Sequence, residues 1–374
     1  MNLKINKWIN SIHRIFNPRL TKSQQRRFDM AERTINYPLP LYSSFLRDEL
    51  KQEDFITYPS YAEYDNLKDK IARYNGVNRD NVFLSTGSGA CIKAVLEVTM
   101  NPGYNVVSPS PSYPMYGIYG KIFGGDHIEV PYPEFDEDCG YSDQIDPQIY
   151  CLKNLLKAVN NKTRLVIISN PFSPIGDYKT IDELRKVCKV LKKKNIIFLI
   201  DEAYVDFCPE TVLPLIHEYD NVIISRTFSK AFGAAGIRVG YLLGNNKLIK
   251  TITKVQLTYP LSSVSVKFAS FLLDNKDVVK HYVEDTIKDR DLLCDYLESK
   301  NYDVIRSHTN SIHFHEKVGD NSQTIKKLTE VGLAFKSGNM KTGTPVKIPG
   351  DVRGTWIRLS VGPNIHKIIR SIIK

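Results

Sequence analysis

Between residues 60 and 260, short apolar runs alternate with amphipathic stretches. Leu67–Tyr74 has helical spacing and stops at Asn75-Gly76, a helix-ending pair. Val82–Leu84 predicts a short strand, followed by a Gly-rich turn and a helix through Ile92–Val98. Asn105–Ser108 predicts another strand, and Ile181–Lys194 an amphipathic helix. Arg164–Ser169, Asn195–Ile200 and Asn221–Ser225 are apolar, β-branched runs without alternation. Such runs suit parallel strands buried on both faces. Beyond residue 260 the pattern turns to long helices, then to segments such as Ser311–His315 and Trp356–Val361. The whole predicts an α/β fold: a large domain with a mostly parallel sheet sandwiched by helices, plus a smaller α+β domain. The expected boundaries are 54–258 for the large domain and 29–53 with 259–374 for the small one. Residues 1–28 stand apart as an N-terminal amphipathic extension, with Trp8, Ile9, Ile12, Ile15 and Phe16 at helical spacing.

Composition changes this picture little. The chain has 374 residues, 42% hydrophobic and 25% charged, as in ordinary globular proteins. No apolar stretch is long enough to cross a bilayer, and the N-terminus lacks the apolar core of a signal peptide. A cytoplasmic protein is expected, without a membrane partner. Much of the +10 net charge lies in scattered lysines such as Lys192–Lys194. No zinc-finger or RNA-binding signature accompanies it, so no nucleic-acid partner is expected. The six cysteines fall at 91, 139, 151, 188, 208 and 294, without C-x-x-C spacing. Free thiols are expected, with neither a disulfide framework nor a metal site.

Ligands in open α/β sheets bind beyond the carboxyl ends of the strands. Distinctive residues follow these strands directly. Gly87-Ser88-Gly89 follows the Val82 strand and opens a helix, where backbone N–H groups can cradle a phosphate. Asn170–Gly176 follows Arg164–Ser169, Asp201 and Tyr204 follow Asn195–Ile200, and Thr227, Ser229 and Lys230 follow Asn221–Ser225. Each alone is weak: a tight turn, a strand-end carboxylate and a surface lysine are all common.

Together they are specific. The run from Thr227 through Lys230, Arg238 and Gly240 resembles the Schiff-base lysine motif of the fold-type I pyridoxal 5′-phosphate (PLP) enzymes, the class I/II aminotransferases. Asp201-Glu-Ala-Tyr204 resembles the segment that precedes it there. The likeness covers roughly residues 30–374 and is greatest to histidinol-phosphate aminotransferases and their relatives. It implies a PLP cofactor carried by Lys230, which then shuttles protons. It implies that Asp201 keeps the ring nitrogen protonated, since an opposite charge favours a cation. Tyr204 would bond the ring oxygen, and Tyr113 would stack on the ring. Arg238, Thr227, Ser229, Gly87, Ser88 and Gly89 would hold the phosphate. Tyr58 would reach the phosphate of a partner subunit, making a homodimer with shared sites. Arg358 would bind the substrate's acidic group.

Two departures bear on specificity. The family asparagine near the ring oxygen is Ser173, and Asn170 lies three residues too early to replace it. The N-terminal element that shapes the substrate pocket reads Ala31-Glu32-Arg33-Thr34-Ile35-Asn36, which points away from histidinol phosphate. The expected activity is amino-group transfer between an amino acid and a small, phosphorylated oxo or amino compound. The alternative is a decarboxylase of phosphoserine or phosphothreonine, since threonine-phosphate decarboxylase shares fold and motifs. A PLP-fold transcription regulator would need a DNA-binding domain that residues 1–50 do not resemble.

Overall fold

The computed structural model describes residues 5–12, 26–132, 151–337 and 356–374. The apolar runs form one seven-stranded sheet. Its strands are β1 (Val82–Thr86), β2 (Asn105–Ser110), β3 (Asp126–Pro131), β4 (Thr163–Ser169), β5 (Ile197–Asp201), β6 (Val222–Thr227) and β7 (Val239–Gly244). The spatial order is β1-β7-β6-β5-β4-β2-β3. Strands β3, β2, β4, β5 and β6 run parallel, whereas β7 is antiparallel to both β6 and β1. Val166 and Ile168 enter one apolar cluster, and Leu165 and Ile167 another across the sheet. Both faces are therefore buried, which is why the strand reads as a continuous apolar run.

Helices cover these faces, and local chemistry sets their ends. Helix α1 (Tyr61–Asn75) starts at a capping box of Ser60 and Glu63 and stops at Gly76, whose φ of 66° suits glycine. Helix α2 (Gly87–Thr99) follows β1 directly, and α3 (Met115–Ile122) connects β2 to β3. Helix α4 (Ile181–Lys193) connects β4 to β5 and carries a capping box of Thr180 and Glu183.

Helices α5 (Ser263–Asp274) and α6 (Lys276–Ser299) lead to a four-stranded antiparallel sheet. Its strands are β8 (Tyr302–Ile305), β9 (Ser311–Glu316), β10 (Lys336–Ser337) and β11 (Ile357–Ser360), ordered β10-β11-β9-β8. Ile312, Phe314, Ile357 and Leu359 pack with Leu293 and Leu297 of α6 and with Ile365 and Ile369 of α7 (Ile365–Ile372). Strand alternation then puts Ser311, His313, Arg358 and Ser360 on the opposite face. A strap before α1 completes this part. Arg26–Arg27 pairs with Leu333–Ala334, and Ser360 N donates to Phe28 O at 2.7 Å.

Two expectations change. Early in the N-terminal extension, Lys7–Ser11 forms a five-residue 3-10 turn whose Trp8 Nε1 donates to Ile122 O at 3.0 Å. Ile12 is extended, so the short amphipathic helix expected there does not run through Trp8–Ile12; Ile15 and Phe16 lie outside the described residues. Cys151 is disulfide-bonded rather than free, while Cys91, Cys188, Cys208 and Cys294 are free thiols.

Candidate active site

Topology gathers the site. Strands β1, β5 and β6 end at one edge of the sheet. Antiparallel β7 begins at that same edge, so Gly87, Asp201, Lys230 and Arg238 meet there despite their separation in sequence.

Asp201 closes β5 and is buried. Its Oδ2 accepts from the Tyr116 hydroxyl at 3.0 Å, while Oδ1 has no hydrogen-bond partner of good geometry. Burial pushes its carboxyl up to about 6, against the smaller opposing pull of Tyr116 and then of the Ala203 amide and nearby Ser225. Tyr204 is also buried. Burial pushes its phenol up, but Lys230 and then Arg358, with hydrogen bonds from Lys230 and Ser173, bring it below the ordinary tyrosine value. Lys230 Nζ lies 5.2 Å from the Tyr204 ring centroid and donates to Met30 O at 2.9 Å and Ala31 O at 3.4 Å. Ser173 is held by its own N–H, which donates to Ser169 Oγ at 2.8 Å. Asn170 faces elsewhere: its amide bonds the backbone of Lys179 at both ends.

A second group lies at the start of α2. Thr227 Oγ1 donates to Ser229 Oγ at 3.0 Å, and Arg238 Nη1 donates to Ser229 Oγ at 3.4 Å. A Cβ on Gly87 would stand 2.6 Å from Arg238 Nη2, and one on Gly240 would stand 2.3 Å from Ser88 N. Two glycines thus let the arginine and the β7 backbone close on the Gly87-Ser88-Gly89 turn. Helix N-termini carry unpaired N–H groups and a positive dipole end, so this cup suits an anion. Tyr113 is partly exposed at its rim and meets Tyr116 edge-on, with ring centroids 5.5 Å apart. Tyr58 lies outside this constellation: it is 75% exposed and stacks on Tyr259 at 4.3 Å.

Arg358 reaches the site from the smaller sheet. It acts electrostatically on Tyr204, and its Nε donates to Ser311 Oγ at 3.4 Å. Lys336 and His313 stand directly opposite it on either side, forming one cross-strand row. Burial first, then Arg358, lowers both the Lys336 ammonium and the His313 imidazole. Lys336 also feels Tyr204, Asp29 and Lys230. Among the described residues Arg358 and Lys336 form no ion pair. Arg33, within the divergent N-terminal segment, packs on Gly233, with its guanidinium 4.5 Å from the Tyr37 ring and 4.0 Å from that of Tyr282.

Tyr116, Lys336, His313, Met30, Asn310 and Ser360 escaped the sequence reading. Tyr116 had a signal, since it belongs to the same short run as Tyr113. The others join the site only through strand register and the strap.

A sheet with helices on both faces, ending in a lysine, a buried aspartate and an anion cup, defines a cofactor-dependent group-transfer enzyme. The aminotransferase class I and II family matches residues 36–368, and the chain belongs to it. It is a PLP-dependent aminotransferase. A histidinol-phosphate aminotransferase of Caldanaerobacter subterraneus subsp. tengcongensis is 33% identical over 275 residues, 73% of each chain. The solved histidinol-phosphate aminotransferase of Sinorhizobium meliloti, in complex with PLP, has a TM-score of 0.78 over 98% of each chain at 22% identity. L-threonine-O-3-phosphate decarboxylase from Porphyromonas gingivalis has a TM-score of 0.69 at 16% identity, over 92% of this chain and 97% of that one. These last two likenesses are of fold. The residues present fit the cofactor: the unpartnered Oδ1 of Asp201 is an acceptor for a ring N–H, and the glycine-lined cup beside Arg238 suits a phosphate.

Proposed function

We propose that this aminotransferase moves an amino group between an amino acid and a small phosphorylated oxo or amino compound, with Lys230 as the cofactor-bearing lysine. The observation that carries the substrate reading is the pair Arg358 and Lys336, which stand side by side near Tyr204 and Lys230, with Asp29 acting on Lys336 from beyond ion-pair distance among the described residues. Two half-buried like charges in one row are costly until an anion lies between them. A carboxylate satisfies one of them; a substrate with a phosphate satisfies both.

When bound, PLP supplies an electron sink for charge at the substrate's α-carbon. Lys230 Nζ would move the proton at that carbon. Asp201 Oδ1 would hold the ring N–H, and Tyr204 with Ser173 the ring oxygen. Arg238, Thr227, Ser229 and the amides of Gly87, Ser88 and Gly89 would hold the phosphate. Tyr113 would pack on the ring. Arg358 binds the substrate acid, with Lys336 beside it. Tyr58 serves the site of a second copy, a role that fits its exposure and its apolar neighbours Phe55, Ile56 and Leu257. Three segments follow from the same reading: 54–258 around the cofactor, 29–53 with 259–374 around the substrate acid, and the extension 1–28. The divergent Ala31–Asn36 segment supports a phosphorylated substrate other than histidinol phosphate.

The test compares phosphorylated amines with their dephosphorylated partners, histidinol phosphate and phosphoserine included, as amino donors. Loss of the phosphate is expected to lower kcat/KM by at least about a hundredfold, the scale for leaving polar groups of a site unpaired. Equal kcat/KM for the two forms would contradict the substrate reading.

A further inference from the structure

The amine of Lys230 is held by main chain. Nζ donates to the carbonyls of Met30 and Ala31, at 2.9 and 3.4 Å. Those carbonyls belong to the strap before α1, and the strap is bent in an unusual way. Ala31 has a φ of 52°, in the left-handed region that alanine rarely adopts, and is buried. Such a conformation persists only where its surroundings impose it.

The surroundings come from the smaller sheet. Ala31 N donates to Ser360 Oγ at 2.8 Å, and Asn310 Nδ2 donates to Ala31 O at 3.2 Å. Ser360 N also donates to Phe28 O at 2.7 Å, which pins the strap two residues before Met30. Asn310 and Ser360 are both buried. Each adjoins the substrate arginine: Ser360 lies two residues beyond Arg358 on β11, and Asn310 precedes Ser311, which accepts from Arg358 Nε.

We infer that Asn310 and Ser360 are positioning residues for Lys230. Through the carbonyls of Met30 and Ala31 they hold its amine in place whenever that amine is not joined to the cofactor. This rests on Lys230 being the cofactor-bearing lysine. A lysine side chain is among those with the most rotamer freedom, and two fixed acceptors restrict where its amine can search. The amine is then already close to its target when the cofactor enters, and again when substrate leaves. Because the same two segments carry Arg358 and Ser311, the substrate acid and the catalytic amine share one support.

The experiment mixes cofactor-free protein with PLP in a stopped-flow instrument and follows the visible absorbance of the lysine-bound cofactor. Ser360→Ala and Asn310→Ala are each expected to slow capture about tenfold, the scale of a released long side chain. Ser360→Thr keeps the acceptor oxygen and is expected to return the rate to within about twofold of the parent. Capture at the parent rate in Ser360→Ala overturns the inference, as does a slowing that Ser360→Thr fails to relieve. If Asn310→Ala does not fold, the Ser360 pair decides alone. Lys230→Ala separates the two levels. If it gains the same absorbance, the lysine assignment fails. If it stays colourless while Ser360→Ala captures normally, only the positioning role fails.

Discussion

Asp201 meets two opposed demands. Its carboxylate is buried, and Tyr116, the Ala203 amide, Ser225 and Lys230 offset that burial only in part, so ionisation is disfavoured and its carboxyl sits at about 6. A rise from the ordinary aspartate value of 3.8 to about 6 is equivalent to roughly 3 kcal/mol against folding, complete above pH 6 and absent below the unfolded value near 4. Asp201→Asn removes that cost while Tyr116 can still donate to the new amide oxygen. The variant is therefore expected to be more stable than the parent, without cofactor, at pH 8. The gap should close as pH falls from 6 to 4. With PLP present, Asp201→Asn should lose at least about a hundredfold in kcat, since the amide carries no charge to hold the ring proton. Thermal unfolding across pH, with and without PLP, checks both. A destabilised Asn variant at pH 8 would contradict the burial argument. Asp201, Lys230 and Arg238 were legible in the sequence because they sit in contiguous runs whose spacing is set by strand ends. Lys336 and Asn310 were not, because nothing local distinguishes them from other polar residues; cross-strand register and the strap give them their neighbours.

At the scale of elements, the edge that carries the site is locked from behind. Glu202 follows Asp201 and points to the opposite side of the sheet, where it meets Arg226 of β6. Arg226 Nε and Nη2 donate to Glu202 Oε2 at 2.9 and 2.6 Å, and Nη1 donates to Asn75 Oδ1 at 2.5 Å. Thr211 Oγ1 and the Val212 amide donate to Glu202 Oε1, at 2.9 and 2.8 Å. The network ties the ends of β5 and β6 to the last residue of α1. Arg226→Leu leaves Glu202 buried without its cation, a loss of about 3–5 kcal/mol. Urea unfolding should register that loss, whereas a change below about 1 kcal/mol would show that the pair is not structural. The elements themselves were legible wherever burial was two-sided, as in β4, β5 and β6. The two-residue pairing of the strap was not, since it has no room for a period.

At the scale of the molecule, an apolar surface lies beside Tyr58. Phe55, Ile56, Tyr58, Tyr61 and Leu257 are all exposed, more than a lone chain ordinarily leaves in one neighbourhood. The proposed second copy covers it and brings Tyr58 to the partner's site. Complementation tests this directly. Lys230→Ala and Tyr58→Ala chains, each impaired alone, should form mixed dimers when co-expressed. One of the two sites in a mixed dimer regains both residues, so activity should return to about a quarter of the parent's with equal expression and a two-fold symmetric pair. Activity no greater than the sum of the separate variants would contradict shared sites. Continuous apolar runs predicted the larger sheet, and segments such as Ser311–His315 and Trp356–Val361 the smaller one. They did not predict the 3-10 turn Lys7–Ser11, whose Trp8 is anchored against Ile122 and Gly124.

The most direct measurement is a single turnover of PLP-loaded protein with L-glutamate, followed by its visible spectrum and its products. The account predicts loss of the lysine-bound absorbance, release of one equivalent of 2-oxoglutarate per site and no carbon dioxide, with Lys230→Ala inert. Release of carbon dioxide instead, or 2-oxoglutarate formed equally well by Lys230→Ala, would contradict it.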